Sequence, residues 1–536
     1  MRRFLGFAIV AVLALPGAGA ARPEAGAGAS PSVFVAPTGS DSGPCTQAAP
    51  CRSFDRAYHV ASPGDVVSIA PGSYPAQTIT DDPSKDAPAV LFEPQRPGSV
   101  QVVGLMIQAS HVEVDGLTFT RSWYVGVNSN TVAQSAQPHD VVLRDLRAPV
   151  FFITAASDVS VIGGSYGPEV DQAAQIKGCY ECRYAPSDIL VDGVTFHDFT
   201  RATKGTHMEC LHVYPAQGLT IRNSRFLNCA IMDVFLSNYG AGGDLRDITI
   251  ENNVFDTPGS HAGALSKGYY GLAFGGFNRT ITNVRIAYNS MLTASIPGFD
   301  SSATYTNVDV EANVGALDPR FCSKGVTYAY NVWTAAKCGA TDTTAPSGFA
   351  DPAQYDFEPT ATAATIGHGD PRDHPATDID GRLRPSRLAP DAGAYQRETA
   401  LIVLGKSIGA ATIGESTSRI AAFYGRASSS RRVRLAGRAL LRQTYRIHGG
   451  ELWVTAAQGR VVGVATSSPY YETAGTLGPG AAVARVRRLS RVTWSGCNGA
   501  YRRDYRGAHV YFAPKGGRRG ATIGTVSILA PAASCR

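Results

Sequence analysis

One short phrase is written four times in the middle of this chain: ILVDGVTF at 189–196, LTIRNSRF at 219–226, ITIENNVF at 248–255 and VRIAYNSM at 284–291. Each copy has alternating β-branched or leucine positions, then a small or amide residue, then a bulky apolar one, and the first three recur about every 30 residues. VEVDGLTF at 112–119, VVLRDL at 141–146 and VSVIGG at 159–164 extend the pattern towards the N-terminus, and VDVEAN at 308–313 extends it the other way. A strand of four or five alternating residues presents one apolar face that it cannot bury alone, so copies must stack into a continuous core. Ile189 and Val191, Leu219 and Ile221, Ile248 and Ile250, Val284 and Ile286 form the inward set. Gly193, Asn223, Asn252, Asn253 and Asn289 follow the strands; such residues tolerate left-handed backbone at sharp bends, and stacked amides there can form a ladder. Phe196, Phe226 and Phe255 then turn back into the core. A helix is excluded by the short, Gly-interrupted segments without a 3.6 period, and a propeller would need a period nearer 40. The predicted fold is all-β: a right-handed parallel β-helix, its hand following the rule for parallel crossovers, with a smaller α+β domain behind it.

On particular residues the chain resembles the pectate-lyase-like right-handed parallel β-helix superfamily. VFVAPTGS at 33–40, Cys45 and Cys51, and GDVVSIAPGSY at 64–74 are similar to the opening of those proteins, and Asp380-Gly381, Arg384-Pro385 and Pro390 to Tyr395 to their closing segment. The resemblance spans 31–397 and implies fold more than activity, because the superfamily holds lyases, hydrolases, epimerases and proteins without known catalysis.

Met1-Arg2-Arg3, an apolar run from Phe4 to Leu15 and Ala18-Gly19-Ala20 read as a signal peptide over 1–20, and no later stretch reaches the length of a membrane span. The expected location is secreted or cell-surface. Ten cysteines fall into five neighbour pairings that suit disulfides in an exported chain: Cys45 with Cys51, Cys179 with Cys182, Cys210 with Cys229, Cys322 with Cys338, and Cys497 with Cys535. Phe54, Ala57, Tyr58 and Ala61 at helical spacing suit a lid over the first rung.

Charge divides the chain. Residues 400–536 hold 21 Lys and Arg against 4 Asp and Glu, while residues 1–399 hold 28 against 39. The 400–536 segment reads as a basic α+β module with an internally repeated helix-plus-hairpin order, and its charge points to an anionic cell-envelope polymer as partner. No nucleic-acid motif with interleaved aromatics stands out.

The richest polar run is KGTHMECLHVY at 204–214, which places Lys204, His207, Glu209, His212 and Tyr214 together. Imidazoles, a carboxylate and a lysine can supply acid, base and charge stabilisation on a uronic-acid sugar. With Leu211 and Val213 inward, His212 and Tyr214 face out, while His207 and Glu209 fall at a bend or in a buried polar ladder. Similar β-helix proteins often carry a His-x-Glu or His-x-Asp pattern here, which His207-Met208-Glu209 matches. Lys177 on the preceding rung and Asp233 on the following one would complete a catalytic row with His212, with Lys204, Arg222 and Tyr214 binding substrate. Cys179, Cys182, His207 and Cys210 also have zinc-type spacing, but Cys229 competes for Cys210. No cofactor is expected from the residues, and calcium, which the resemblance allows, would need converging carboxylates where the acidic residues are scattered. The polygalacturonase and pectate-lyase signatures are missing. Two functions therefore stand: a polysaccharide lyase or glycoside hydrolase acting on an acidic polysaccharide, or a non-catalytic cell-surface adhesive protein.

Overall fold

The computed structural model describes residues 31–129, 132–178, 184–202, 208–239, 243–256, 270–295, 298–299, 301–316, 322–496, 498–505 and 507–533. The 1–20 segment, Lys204 and His207 lie outside them.

Three long sheets of parallel strands wind through 33–344. In the first, of 12 strands, the repeated segments lie side by side: Val112 pairs with Val141, Val141 with Val159, Val159 with Ile189, Ile189 with Leu219, Leu219 with Ile248, Ile248 with Val284 and Val284 with Val308. Parallel pairing of one turn on the next puts like residues in rows, and all of these are at most 2% exposed. The bulky residue after each bend heads a second sheet, where Phe196, Phe226 and Phe255 stack face to face at 4.8 and 5.1 Å. Each fully buried phenylalanine contributes roughly 2–3 kcal/mol. The helix Phe54–Val60, capped by Ser53, covers the N-terminal end with Phe54, Ala57 and Tyr58 buried.

At the bend between these sheets, buried amides run along the coil. Asn253 Nδ2 donates to Asn289 Oδ1 at 3.0 Å, Asn289 to Asn313 at 2.9 Å, Asn313 to Asn331 at 3.1 Å, and Asn331 to Asp342 at 2.9 Å. The same oxygens accept the backbone N–H of Asn253, Asn289, Asn313 and Asn331, so the ladder satisfies both side chains and bent backbone. A second, shorter row joins Asp192, Asn223 and Asn252.

After the last rung the chain folds back along the coil. Arg384 is buried, donates to Asn252 Oδ1, Asp391 O and Gly393 O at 2.8–2.9 Å, and lies over the Tyr288 ring. Beyond it stands an eight-stranded antiparallel sheet with the order Ser429–Leu435, Arg438–Ile447, Gly450–Ala457, Arg460–Thr466, Ile523–Leu529, Ala508–Pro514, Ala500–Tyr505, Thr493–Ser495. Helices Thr417–Tyr424 and Val483–Arg487 each precede four of these strands, and Ser416 caps the first while Gly425 ends it. The hub of this region is Glu398, 3% exposed, which accepts hydrogen bonds from the Tyr424 and Tyr471 hydroxyls and from His448 Nε2.

Disulfides join Cys45 to Cys51, Cys210 to Cys229 and Cys322 to Cys338. The structure thus describes three of the five bridges expected from the sequence. The bridges expected from Cys179 to Cys182 and from Cys497 to Cys535 lie outside the described residues. Among the described residues, no helix is long and apolar enough to cross a membrane.

Candidate functional site

The remaining sheet, of nine strands, carries the polar run. Its strands Leu105–Ile107, Trp123–Val125, Phe151–Thr154, Ala174–Lys177, Glu209–Val213, Met232–Ser237 and Tyr270–Gly275 stack in successive turns. Leu211 and Val213 are fully buried, so His212 between them faces out. Register then fixes its row: Met106, Tyr124, Phe152, Gln175, His212, Phe235 and Ala273 occupy one outward line across the sheet.

That line is rich in rings. Tyr124 and Phe152 stack at 4.6 Å, Lys177 Nζ lies 5.7 Å from the Phe152 centroid, and His212 contacts Phe235 at 4.9 Å and stacks on Tyr214 at 4.2 Å. Lys177 Nζ donates to Gln175 Oε1 at 2.9 Å, and burial pushes its ammonium below the ordinary lysine range. Burial, and after it the charges of Glu209 and Tyr239, raise the Tyr214 phenol. Glu209 is 1% exposed and holds Oε2 3.7 Å from His212 Nδ1. A carboxylate facing that nitrogen orients the imidazole.

Sequence reasoning placed Lys177, His212 and Asp233 in one row, and the registers correct it. The three lie on consecutive rungs, but Gln175 and Phe235 are the neighbours of His212; Lys177 is level with Tyr214, and Asp233 with Cys210. Asp233 is fully buried, and its Oδ2 lies 3.6 Å from where a Cβ on Gly271 would stand, beside Phe255. Arg222 belongs to a different sheet, where Asp192 binds its guanidinium at 2.8 and 2.9 Å, so it is not brought to His212. Cys210 is committed to its disulfide, which removes it from the zinc set. Among the described residues, no three His, Cys, Asp or Glu side chains converge on a metal-sized site.

Two ring positions, Phe152 and Phe235, were not singled out from sequence. Their signal is the middle place in FFI and VFL, with inward residues on either side. Trp123 is fully buried and stacks on Phe151 at 4.7 Å; the outward residue is its neighbour Tyr124. A glycine-rich stretch forms the regular strand Tyr270–Gly275.

No family model matches the chain, and no curated protein matches it. Among solved structures, pectate lyase Pel9A is similar at 14% identity over 69% of this chain and 97% of its own, with a TM-score of 0.39. A rhamnogalacturonan lyase is similar at 12% identity over 68% and 96%, with a TM-score of 0.32. A cysteine-rich secretory protein of Staphylococcus aureus matches 22% of this chain at 11% identity with a TM-score of 0.18; the match spans 44% of that protein. The fold rests on the ladders and registers above rather than on these likenesses. The chain is a right-handed parallel β-helix followed by an antiparallel C-terminal sheet.

Proposed function

We propose that this chain is an exported polysaccharide lyase acting on a uronate-containing polymer, with the nine-stranded sheet as its substrate face and the basic region beyond 400 retaining it on anionic envelope material. The observation that carries this reading is the outward line of Tyr124, Phe152, His212 and Phe235 beside Lys177 and the buried Glu209. Rings along one line suit sugar rings of an extended chain. A partly desolvated ammonium suits a uronate carboxylate, whose charge it stabilises as the neighbouring carbon loses its proton. His212, oriented by Glu209, takes that proton; a C=C bond forms as the glycosidic C–O bond breaks, and the leaving oxygen keeps the electron pair and is protonated.

A two-carboxylate hydrolase fits less well. Its two carboxyls would be Glu209 and Asp233, and Asp233 is fully buried. The competing reading is a non-catalytic binding surface, favoured by the burial of Phe152 and Glu209, at 4% and 1% exposure.

The test is turnover of acidic and neutral polysaccharides, followed by unsaturated-product absorbance and by new reducing ends. A lyase gives both signals, and Glu209→Gln and His212→Ala lower them about 100-fold or more. Reducing ends without absorbance would indicate hydrolysis. Binding without turnover would favour the adhesive reading.

A further inference from the structure

In the C-terminal sheet the strand Ser429–Leu435 is an edge, paired with Arg438–Ile447, which in turn pairs with Gly450–Ala457. Alternation puts Arg438, Arg442 and Arg446 on one face of the middle strand, about 14 Å from one to the next. Arg431 of the edge strand stands directly opposite Arg442. The reverse face buries Leu452, Val454 and Ala456 in the core, whereas on the arginine face Arg431, Arg438 and Arg446 are exposed and Trp453 is half-buried.

This charge is uncompensated. Among the described residues, no carboxylate pairs with Arg431, Arg438 or Arg442, and Arg446 has only Glu451 at 4.0 Å. Arg442 is half-buried, donates to Thr455 Oγ1 at 3.4 Å, and is held below the usual arginine range by burial and by the charge of Arg431. Like charges directly opposite across a sheet destabilise it. Arginines on an edge strand also guard against edge-to-edge aggregation, but that purpose is served by the exposed Arg431, Arg432 and Arg434 and gives no reason for a half-buried Arg442 on the second strand.

We propose that this face is a binding track for a carboxylate-bearing polysaccharide, with Arg431 and Arg442 as a paired carboxylate clamp and Trp453 against a sugar ring. The proposal rests on the reading that the basic region retains an anionic polymer, and it assigns that role to one surface. A line of cations along a strand fits an extended polymer better than a compact ligand. Paired planar guanidiniums fit the carboxylate fork. Trp453 lies one row from Arg442, opposite Thr444, where a ring bearing the clamped carboxylate would pass.

The experiment measures binding of the full-length mature chain to polygalacturonate, to neutral dextran and to polyphosphate, at low and moderate salt. Wild type is expected to bind polygalacturonate most tightly. Arg431→Gln with Arg442→Gln is expected to cost tenfold or more, and Trp453→Ala about fivefold. Arg488→Gln with Arg491→Gln, an equal charge change at exposed positions, is expected to cost less than twofold. Arg431→Lys with Arg442→Lys keeps the charge but loses the fork, and is expected to retain only part of the affinity. Equal losses from the two Gln pairs would overturn the clamp and leave only diffuse attraction. Tighter binding to polyphosphate would overturn the choice of partner. Absence of binding by wild type would overturn the parent reading as well, whatever the β-helix does to its substrate.

Discussion

The coil and the C-terminal sheet are both built of strands, but they bury their apolar faces by opposite means. In the coil each strand pairs with its copy one turn on, so Phe stacks on Phe and Asn bonds to Asn, and the cost of bending is met by a repeated amide. In the sheet beyond 400, antiparallel neighbours differ: Thr444 faces Trp453, Tyr445 faces Leu452, and two arginines face each other. One face packs on the core and the other carries the arginines. The charges differ too, with an acidic excess in residues 1–399 and a strong basic excess in 400–536. A repeat advertises its architecture and hides its function in the outward residues that break the repetition; the antiparallel sheet does the reverse, hiding its topology and displaying its arginines.

The largest effect that sharpens this contrast is expected from the ring stack. Phe226→Ala should cost about 4 kcal/mol. Calorimetry of the full chain is expected to show two transitions, of which only the coil's moves; a single transition shifting as a whole would erase the distinction between the regions. Next comes Glu398→Ala, which strands three donors and should cost about 3 kcal/mol in the other transition. Equal shifts of both transitions would mean that Glu398 couples the regions instead of organising one.

A smaller, pH-dependent effect belongs to the coil's last turns. Glu311 accepts from Arg285 at 2.8 Å, yet burial, followed by its shared hydrogen bond with Asp370, raises its pKa from 4.5 to about 7. Asp370 keeps the charge, because the Arg372 N–H and guanidinium bind it; its pKa moves down even against burial. A carboxyl with a raised folded pKa stabilises the fold below its unfolded value, and that contribution is lost as pH climbs from about 4.5 to about 7. The coil transition should therefore weaken over that window. Glu311→Gln should flatten the profile, and an unchanged profile in the variant would assign the pH dependence to other groups. The smallest effect is expected from Arg222→Ala. Its partly exposed pair with Asp192 should contribute less than about 1 kcal/mol, and turnover should not change; a large loss of turnover would bring the first sheet into the substrate face.

Much of the coil was legible because its rows are repetitions: the inward positions, the turning phenylalanines, the amide ladder and the capped first helix all follow from residue types at fixed spacing. The site was legible only in part. Glu209, His212 and Tyr214 share one strand segment, so alternation alone orients them. Relations between rungs depend on register, and the connections between strands of the third sheet differ in length, which shifted Lys177 and Asp233 off the row of His212. The strand Tyr270–Gly275 was obscured by its glycines, which answer to packing: a Cβ at Gly275 would stand 2.9 Å from the Phe235 ring, and one at Gly271 would stand 3.0 Å from the Phe255 Cβ. Phe152 and Phe235 sit in strands too short to show a period.

Hydroxyl-radical footprinting of the full chain with and without a polyuronate addresses the substrate face directly. Tyr124, His212, Tyr214 and Phe235 should be protected together in the complex, while Tyr330 at the coil's last turn keeps its reactivity. Protection confined to Trp453 and the arginine strands, with none at His212 or Phe235, would contradict a polysaccharide-binding face on the coil.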